Sequence, residues 1–114
     1  MTGYLTTHVL DTARGQPAAG LAITLYRITG ATRETVANMV TNADGRTDGP
    51  ILPVDAFKKG EYELVFEAGA YLRSAGMSDA FLDAVPLRFK MTEEAHYHVP
   101  LLLSPFSYST YRGS

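Results

Sequence analysis

The chain contains no cysteine and no long apolar run, and its charge is nearly balanced. Without cysteine it has no disulfide framework, no thiol nucleophile and no thiolate metal site. No apolar stretch approaches the roughly 20 residues that a membrane span needs. The first eight residues lack the basic and apolar regions of a secretory signal, so we expect a cytoplasmic protein. A net charge of -2 favours neither nucleic acid nor an anionic membrane as a partner.

The composition is that of a folded globular domain. Hydrophobic residues make up 46% of the chain and charged residues 19%, which is unlike a disordered segment. A length of 114 residues suits one core but not two. We therefore predict a single domain over residues 1–114.

Hydrophobic residues recur mostly with a period of two, which indicates strands. The predicted strands cover residues 4–9, 21–26, 34–41, 61–66, 86–91, 97–103 and 108–111. Residues 11–20 form a predicted loop, residues 42–45 a tight turn, and residues 69–76 the one short helix. Many short strands in a chain of this size predict an all-β sandwich or barrel.

Three histidines are the first candidates for proton transfer, because imidazole titrates near neutral pH. His8 lies in the first predicted strand, and His96 and His98 lie in the penultimate one. Two residues apart in a strand, His96 and His98 point to the same face, roughly 7 Å from each other. A strand histidine is more often a hydrogen-bonded structural residue than a catalyst. These positions alone are therefore only weak evidence for a catalytic role.

A metal site and a serine nucleophile are both disfavoured by the sequence. No H-x-x-x-H pair is present, and histidines that merely share a strand face are weaker evidence for zinc. No G-x-S-x-G elbow is present either. Arg46 follows the predicted tight turn, so its guanidinium could hold a carbonyl-rich ligand beyond the sheet edge. A solvated loop arginine is the simpler interpretation of Arg46 by itself.

The C-terminal residues combine an aromatic ring, a guanidinium and a hydroxyl beside the terminal carboxylate. They are Tyr111, Arg112, Gly113 and Ser114. Chain ends usually fray, so such residues are useful there only if the tail is held and lines a site. The alternative is a short edge strand with a polar end.

Three separated blocks of the sequence resemble one family. They are residues 5–11 (Leu-Thr-Thr-His-Val-Leu-Asp) followed by residues 15–20, residues 42–49 around Arg46, and residues 98–105 (His-Val-Pro-Leu-Leu-Leu-Ser-Pro) followed by residues 108–114, which end Tyr-Arg-Gly-Ser. In this order they resemble the 5-hydroxyisourate hydrolases, the transthyretin-like enzymes of urate breakdown, over essentially the whole chain. The Tyr-Arg-Gly-Ser ending is the most specific part, since transthyretin does not share it. His96 lies outside the matching motif and inherits no role.

The resemblance implies a fold, an assembly and an activity. The fold is a transthyretin-like β-sandwich of two sheets with one short helix. The assembly is a homotetramer, a dimer of dimers, with the reaction site in the groove between dimers. The activity is hydrolysis of 5-hydroxyisourate, a small-molecule substrate, to 2-oxo-4-hydroxy-4-carboxy-5-ureidoimidazoline in purine degradation, with no cofactor and no metal.

The resemblance also implies the site residues. His8, Arg46, His98 and Ser114 are the expected catalytic residues, while Tyr111 and Arg112 join His8, Arg46 and His98 in binding substrate. Which histidine is the base and which the acid is left open. The alternative function is a transthyretin-style carrier of a small aromatic ligand, which would prefer a mainly apolar groove.

Overall fold

The computed structural model describes residues 2–113, which form eight strands and one α-helix. The strands are β1 (Tyr4–Asp11), β2 (Gln16–Pro17), β3 (Ala22–Thr29), β4 (Thr32–Val40), β5 (Gly60–Glu67), β6 (Ala84–Met91), β7 (His96–Ser104) and β8 (Ser107–Thr110). Helix α1 (Ala68–Ser74) follows β5, and a 3₁₀ turn covers Val54–Ala56. Among these residues, no helix has both the length and the apolar character needed to cross a bilayer.

Two four-stranded sheets pack face to face, which confirms the predicted sandwich. One sheet has the order β2-β1-β7-β8 and the other the order β4-β3-β5-β6. Strand β1 shows why they pack, because every second residue from Leu5 to Asp11 is buried while the residues between are partly exposed. The alternating residues of both sheets meet in one core, whose largest members include Tyr62, Phe66, Leu64 and Leu101.

Strands β1 and β7 are paired in parallel, whereas the other strand pairs of both sheets are antiparallel. Their register places Tyr4 opposite His96, Thr6 opposite His98 and His8 opposite Pro100. Because side chains alternate along a strand, Tyr4, Thr6 and His8 point away from the core together with His96 and His98. The outer face of this sheet therefore collects all three histidines of the chain.

Several details differ from the sequence predictions. The predicted loop at residues 11–20 contains β2. This strand was not predicted because two residues are too few to show an alternating pattern. The 3₁₀ turn at Val54–Ala56 was not predicted, and none of its residues is buried. The last strand ends at Thr110, one residue before the predicted end, and α1 ends at Ser74 rather than residue 76.

A buried carboxylate ties helix α1 to the end of β1. Asp11 is 1% exposed. One of its oxygens accepts a hydrogen bond from the Tyr71 hydroxyl at 2.7 Å, and the other accepts from the Arg14 backbone N–H at 3.0 Å. A buried carboxylate is costly unless its oxygens are paired. The Asp11–Tyr71 bond thus fixes the helix against the sheet that carries the histidines.

We expect Tyr71→Phe to destabilise the fold and to flatten its response to alkali. Loss of the hydroxyl leaves an Asp11 oxygen without its donor, which costs about 1–3 kcal/mol. Burial, and then the bond to Asp11, raise the pKa of Tyr71 to about 12. An unfolded tyrosine ionises at about pH 10, so the folded state of the wild type loses stability as pH rises from about 10 to about 12.

Urea unfolding at neutral pH and above pH 10 measures both effects, with Tyr108→Phe as the control because the Tyr108 ring is exposed. Equal pH slopes for wild type and Tyr71→Phe would contradict the assignment.

Candidate active site

The turn after β4 holds Arg46 in a defined place. The Asn42 side-chain oxygen accepts hydrogen bonds from the backbone N–H groups of Asp44 at 2.9 Å and Arg46 at 3.2 Å. The Asn42 N–H donates to the Arg46 carbonyl at 2.7 Å. Asparagine suits such a turn because its side chain can bond to the backbone a few residues ahead. These hydrogen bonds therefore fix the backbone of Arg46.

The same turn packs directly on strand β1 through Gly45. The Val9 N–H donates to the Gly45 carbonyl at 2.8 Å. Gly45 has a φ of +74°, and a Cβ atom there would collide with the Val9 carbonyl oxygen. Only glycine combines this backbone conformation with so close an approach. The next residue, Arg46, consequently forms a β-bridge with His8.

His8 is bonded to this turn by its side chain. Its Nε2 lies 2.9 Å from the Asp44 carbonyl oxygen. A carbonyl oxygen can only accept, so Nε2 of His8 carries a proton and donates it. The predicted pair of His8 and Arg46 is thus brought together in the structure.

A cleft of about 480 Å³ lies between the turn and the outer face of β1 and β7. Arg46 and His98 both line it, as do Tyr4, Thr6, Pro50 and His96. His8 is beside Arg46, next to these lining residues rather than among them. The structure therefore brings together three of the sequence-predicted residues, His8, Arg46 and His98, around one polar cavity.

The Thr6 hydroxyl joins two of the histidines. Its oxygen is 2.7 Å from His96 Nε2 and 2.8 Å from His98 Nδ1. The His96 ring also stacks on Tyr4, with ring centroids 4.1 Å apart and planes within 6°. The centroids of His96 and His98 are 6.1 Å apart, close to the expected same-face spacing.

The surroundings of His98 favour its neutral form. Burial lowers the pKa of His98, and the positive charge of Arg46 lowers it further, with smaller effects from His96 and His8. A neutral imidazole at neutral pH has one ring nitrogen with a free lone pair, which is what a general base requires.

The C-terminal tail is held against β7. The Thr110 hydroxyl donates to the Pro100 carbonyl at 2.7 Å, and the Gly113 N–H donates to the His98 carbonyl at 2.7 Å. Gly113 also packs on the His98 ring, because a Cβ atom built on it would lie 2.6 Å from His98 Cδ2. Ser114, the fourth predicted catalytic residue, lies outside the described residues.

Tyr111 and Arg112 lie in a different groove. This groove, of about 450 Å³, is lined by residues of β6 and by the end of β8 with its tail. The Arg112 guanidinium carbon is 4.1 Å from the centroid of the Tyr97 ring, within the range of a cation–π contact. A single chain therefore does not bring Tyr111 and Arg112 to the His98 cleft, and their predicted contact with substrate stays a prediction.

Sequence reasoning missed Thr6 and gave His96 no role, although both line the cleft. Thr6 stands in the quoted first block, but its partner His98 is 92 residues away. Thr6 is identified by the parallel register of β1 and β7, which places it opposite His98. The hydrophobic periodicity of the sequence does not reveal which strands pair or in what register. Within residues 2–113, no three His, Asp or Glu side chains converge as a metal-binding group.

We expect Gly113→Ala to lower activity while leaving the sandwich folded. The added methyl group would overlap the His98 ring, so the ring or the tail must shift. Because His98 is an expected catalytic residue and a misplaced catalytic group loses efficiency, turnover of 5-hydroxyisourate should fall about 10-fold or more. Circular dichroism should be unchanged, since the core strands do not involve this residue. An alanine variant with full turnover would show that the close contact is dispensable.

Comparison with known proteins finds relatives over almost the whole chain. The profile of the HIUase/Transthyretin family matches residues 5–113. A 5-hydroxyisourate hydrolase of Mesorhizobium japonicum is 61% identical, over 98% of this chain and 93% of the relative.

Two solved structures show the same fold. The 5-hydroxyisourate hydrolase of Klebsiella pneumoniae superimposes with a TM-score of 0.84 at 38% identity, over 99% of this chain and all of that one. Sea bream transthyretin in complex with thyroxine gives a TM-score of 0.88 at 30% identity, over 96% of this chain and 93% of that one. One scaffold thus serves a hydrolase and a ligand-binding protein.

Proposed function

We propose that this chain, which belongs to the HIUase/Transthyretin family, hydrolyses 5-hydroxyisourate to 2-oxo-4-hydroxy-4-carboxy-5-ureidoimidazoline in urate degradation. Residues 1–114 form one domain in this proposal. The observation that carries it is the cleft in which the Arg46 guanidinium faces a neutral His98, with His8 bonded to the same turn. The reaction adds water to a ring carbonyl and breaks the adjoining C–N bond, so it needs a base, an oxyanion donor and an acid.

His98 is the proposed base. Its Nδ1 faces the Thr6 hydroxyl, and within residues 2–113 its Nε2 has no hydrogen-bond partner. Nε2 takes a proton from water while the water oxygen bonds to the carbonyl carbon. The lowered pKa of His98 keeps this nitrogen available at neutral pH.

Arg46 is the proposed oxyanion donor. Its backbone is fixed by the Asn42 turn, and its side chain lines the cleft. As the carbonyl oxygen gains negative charge, a guanidinium can donate two parallel hydrogen bonds to the substrate. A donor positioned before the reaction is the usual source of a large share of the rate.

His8 is the proposed proton shuttle to the leaving nitrogen. Its Nε2–H is bound to the Asp44 carbonyl, so Nδ1 is the nitrogen that can take a proton from solvent and pass it to the leaving nitrogen. His98 then returns to solvent the proton that it took from the attacking water. Ser114 is proposed to hold water or a histidine through its hydroxyl. No metal or cofactor is required in this scheme, because two imidazoles and a guanidinium supply each role.

A carrier function is the rival proposal, since sea bream transthyretin, which has this fold, binds thyroxine. A carrier site is typically lined by apolar side chains with few polar ones. The cleft here instead contains Arg46, Thr6 and two histidines. This ionisable lining favours the hydrolase.

A homotetramer, a dimer of dimers, is the proposed assembly. Strand β6 is one edge of its sheet and β8 is one edge of the other, and residues of both strands line the same groove. Free edges present unpaired backbone groups that a second copy can satisfy.

Analytical ultracentrifugation should give four times the mass of one chain, and a monomer at micromolar concentration would contradict the assembly. A cytoplasmic location stays a prediction.

The decisive test follows the ultraviolet decay of freshly generated 5-hydroxyisourate. The wild-type protein should accelerate the decay well beyond its spontaneous rate. His98→Asn and His8→Asn should each lower turnover by about 100-fold, the usual scale for a positioned acid or base. Asn can keep one hydrogen bond, so both variants should fold. No acceleration by the wild type would remove the proposed function.

A further inference from the structure

Among residues 2–113, the Thr6 hydroxyl is the side-chain group that links His98 to a second imidazole. It lies between His98 Nδ1 at 2.8 Å and His96 Nε2 at 2.7 Å. Thr6 is opposite His98 in the parallel register, and Tyr4 opposite His96, so the strand pairing itself creates the contact. The mechanism described above uses neither Thr6 nor His96.

Counting protons restricts what this cluster can do. A threonine hydroxyl has one hydrogen to donate and two lone pairs that accept. If the hydroxyl donates to His98 Nδ1, a neutral His98 carries its proton on Nε2, and that nitrogen cannot act as a base. If His98 Nδ1–H donates to the hydroxyl, Nε2 keeps a free lone pair. The direction of one hydrogen bond therefore decides whether His98 can accept a proton from water.

We propose that Thr6 is a positioning residue that accepts a hydrogen bond from His98 Nδ1–H and donates one to His96 Nε2, so that His98 Nε2 stays unprotonated and available to the cleft. This inference rests on the proposed function, because the need for a base comes from the hydrolysis. His96 contributes by giving the Thr6 hydrogen an acceptor. In this proposal both residues act through His98 rather than on the reacting atoms.

His96 is held in place beside Thr6, and the need for a free His98 Nε2 sets the direction of the hydrogen bonds in this proposal. Its ring is stacked on Tyr4 with nearly parallel planes, which keeps its Nε2 aimed at the Thr6 oxygen. A fixed acceptor orients a hydroxyl that could otherwise rotate. In turn the oriented hydroxyl offers its lone pairs, and not its hydrogen, to His98.

The same arrangement suits both states of the base. Before the reaction, neutral His98 donates Nδ1–H to Thr6 and has Nε2 free. After Nε2 has taken a proton from water, the imidazolium still donates Nδ1–H to the same oxygen. No hydrogen bond at Thr6 has to reverse when the proton moves, which is the condition for a preorganised site. Triads use the partner of the second ring nitrogen in this way.

Two variants and one control test the proposal. Thr6→Val keeps the shape of the side chain but removes the hydroxyl, and Thr6→Ser restores the hydroxyl. The control is Thr12→Val, because the Thr12 hydroxyl also bonds to β7, at the Leu103 carbonyl, but lies outside the cleft. Each protein is labelled with nitrogen-15 at its histidines, and long-range proton–nitrogen correlation spectra report the tautomer of His98 without any substrate.

The expected spectrum of the wild type shows His98 protonated at Nδ1. In Thr6→Val, His98 should shift toward the Nε2–H tautomer, and kcat on 5-hydroxyisourate should fall about 10-fold to 100-fold with little change in KM. Thr6→Ser should recover the wild-type tautomer and most of the rate. Thr12→Val should match the wild type in both readouts.

The proposal is overturned if wild-type His98 is protonated at Nε2, or if Thr6→Val leaves the tautomer unchanged. The wild-type spectrum alone shows which nitrogen of His98 is protonated. The proposal can therefore be refuted even if Thr6→Val folds poorly. Because the spectra need no substrate, they are independent of the decay assay. A wild type that carries the Nδ1–H tautomer but does not accelerate decay would refute the proposed hydrolysis and leave the hydrogen-bond assignment standing.

Discussion

The parallel pairing of β1 with β7 is the constraint on which the candidate site depends. It aligns Thr6 with His98 and Tyr4 with His96, two contacts between residues about 90 positions apart. Side chains alternate between faces, so a slip of one residue would turn either strand's outer residues into the core. The buried Leu5, Val9 and Leu101 on the inner face oppose such a slip. The hydrophobic core thereby sets the geometry of polar groups on the opposite face.

The turn and the tail are both attached to this strand pair by backbone hydrogen bonds at glycines. Gly45 accepts from Val9 on β1, and Gly113 donates to His98 on β7. At each position a Cβ atom would overlap its neighbour, so the missing side chain is what permits the approach. Backbone contacts of this kind leave less freedom than contacts between long side chains, which suits groups that must be placed before a reaction.

The sequence alone predicts the sandwich well, because alternation along β1, β3 and β5 reflects burial on one face of each strand. It also places His96 and His98 on one face, and the resemblance adds Arg46. It cannot supply the role of Thr6, because strand pairing across the chain is decided by the whole fold. Nor can it show that Tyr111 and Arg112 of a single chain lie in the groove beside β6. Strand β2 could not be predicted because two residues are too few to show an alternating pattern.

Charge rather than fold distinguishes the hydrolase proposal from the carrier proposal, because sea bream transthyretin superimposes on this chain as well as the Klebsiella hydrolase does. Arg46 illustrates how one charge can serve two needs. Its positive charge suits the oxyanion of the proposed reaction, and it also lowers the pKa of His98, after the larger effect of burial. Removing Arg46 would therefore weaken the oxyanion donor and make His98 easier to protonate in the resting protein. A neutral imidazole beside a guanidinium therefore suits the proposed role of His98, which is to take a proton from water.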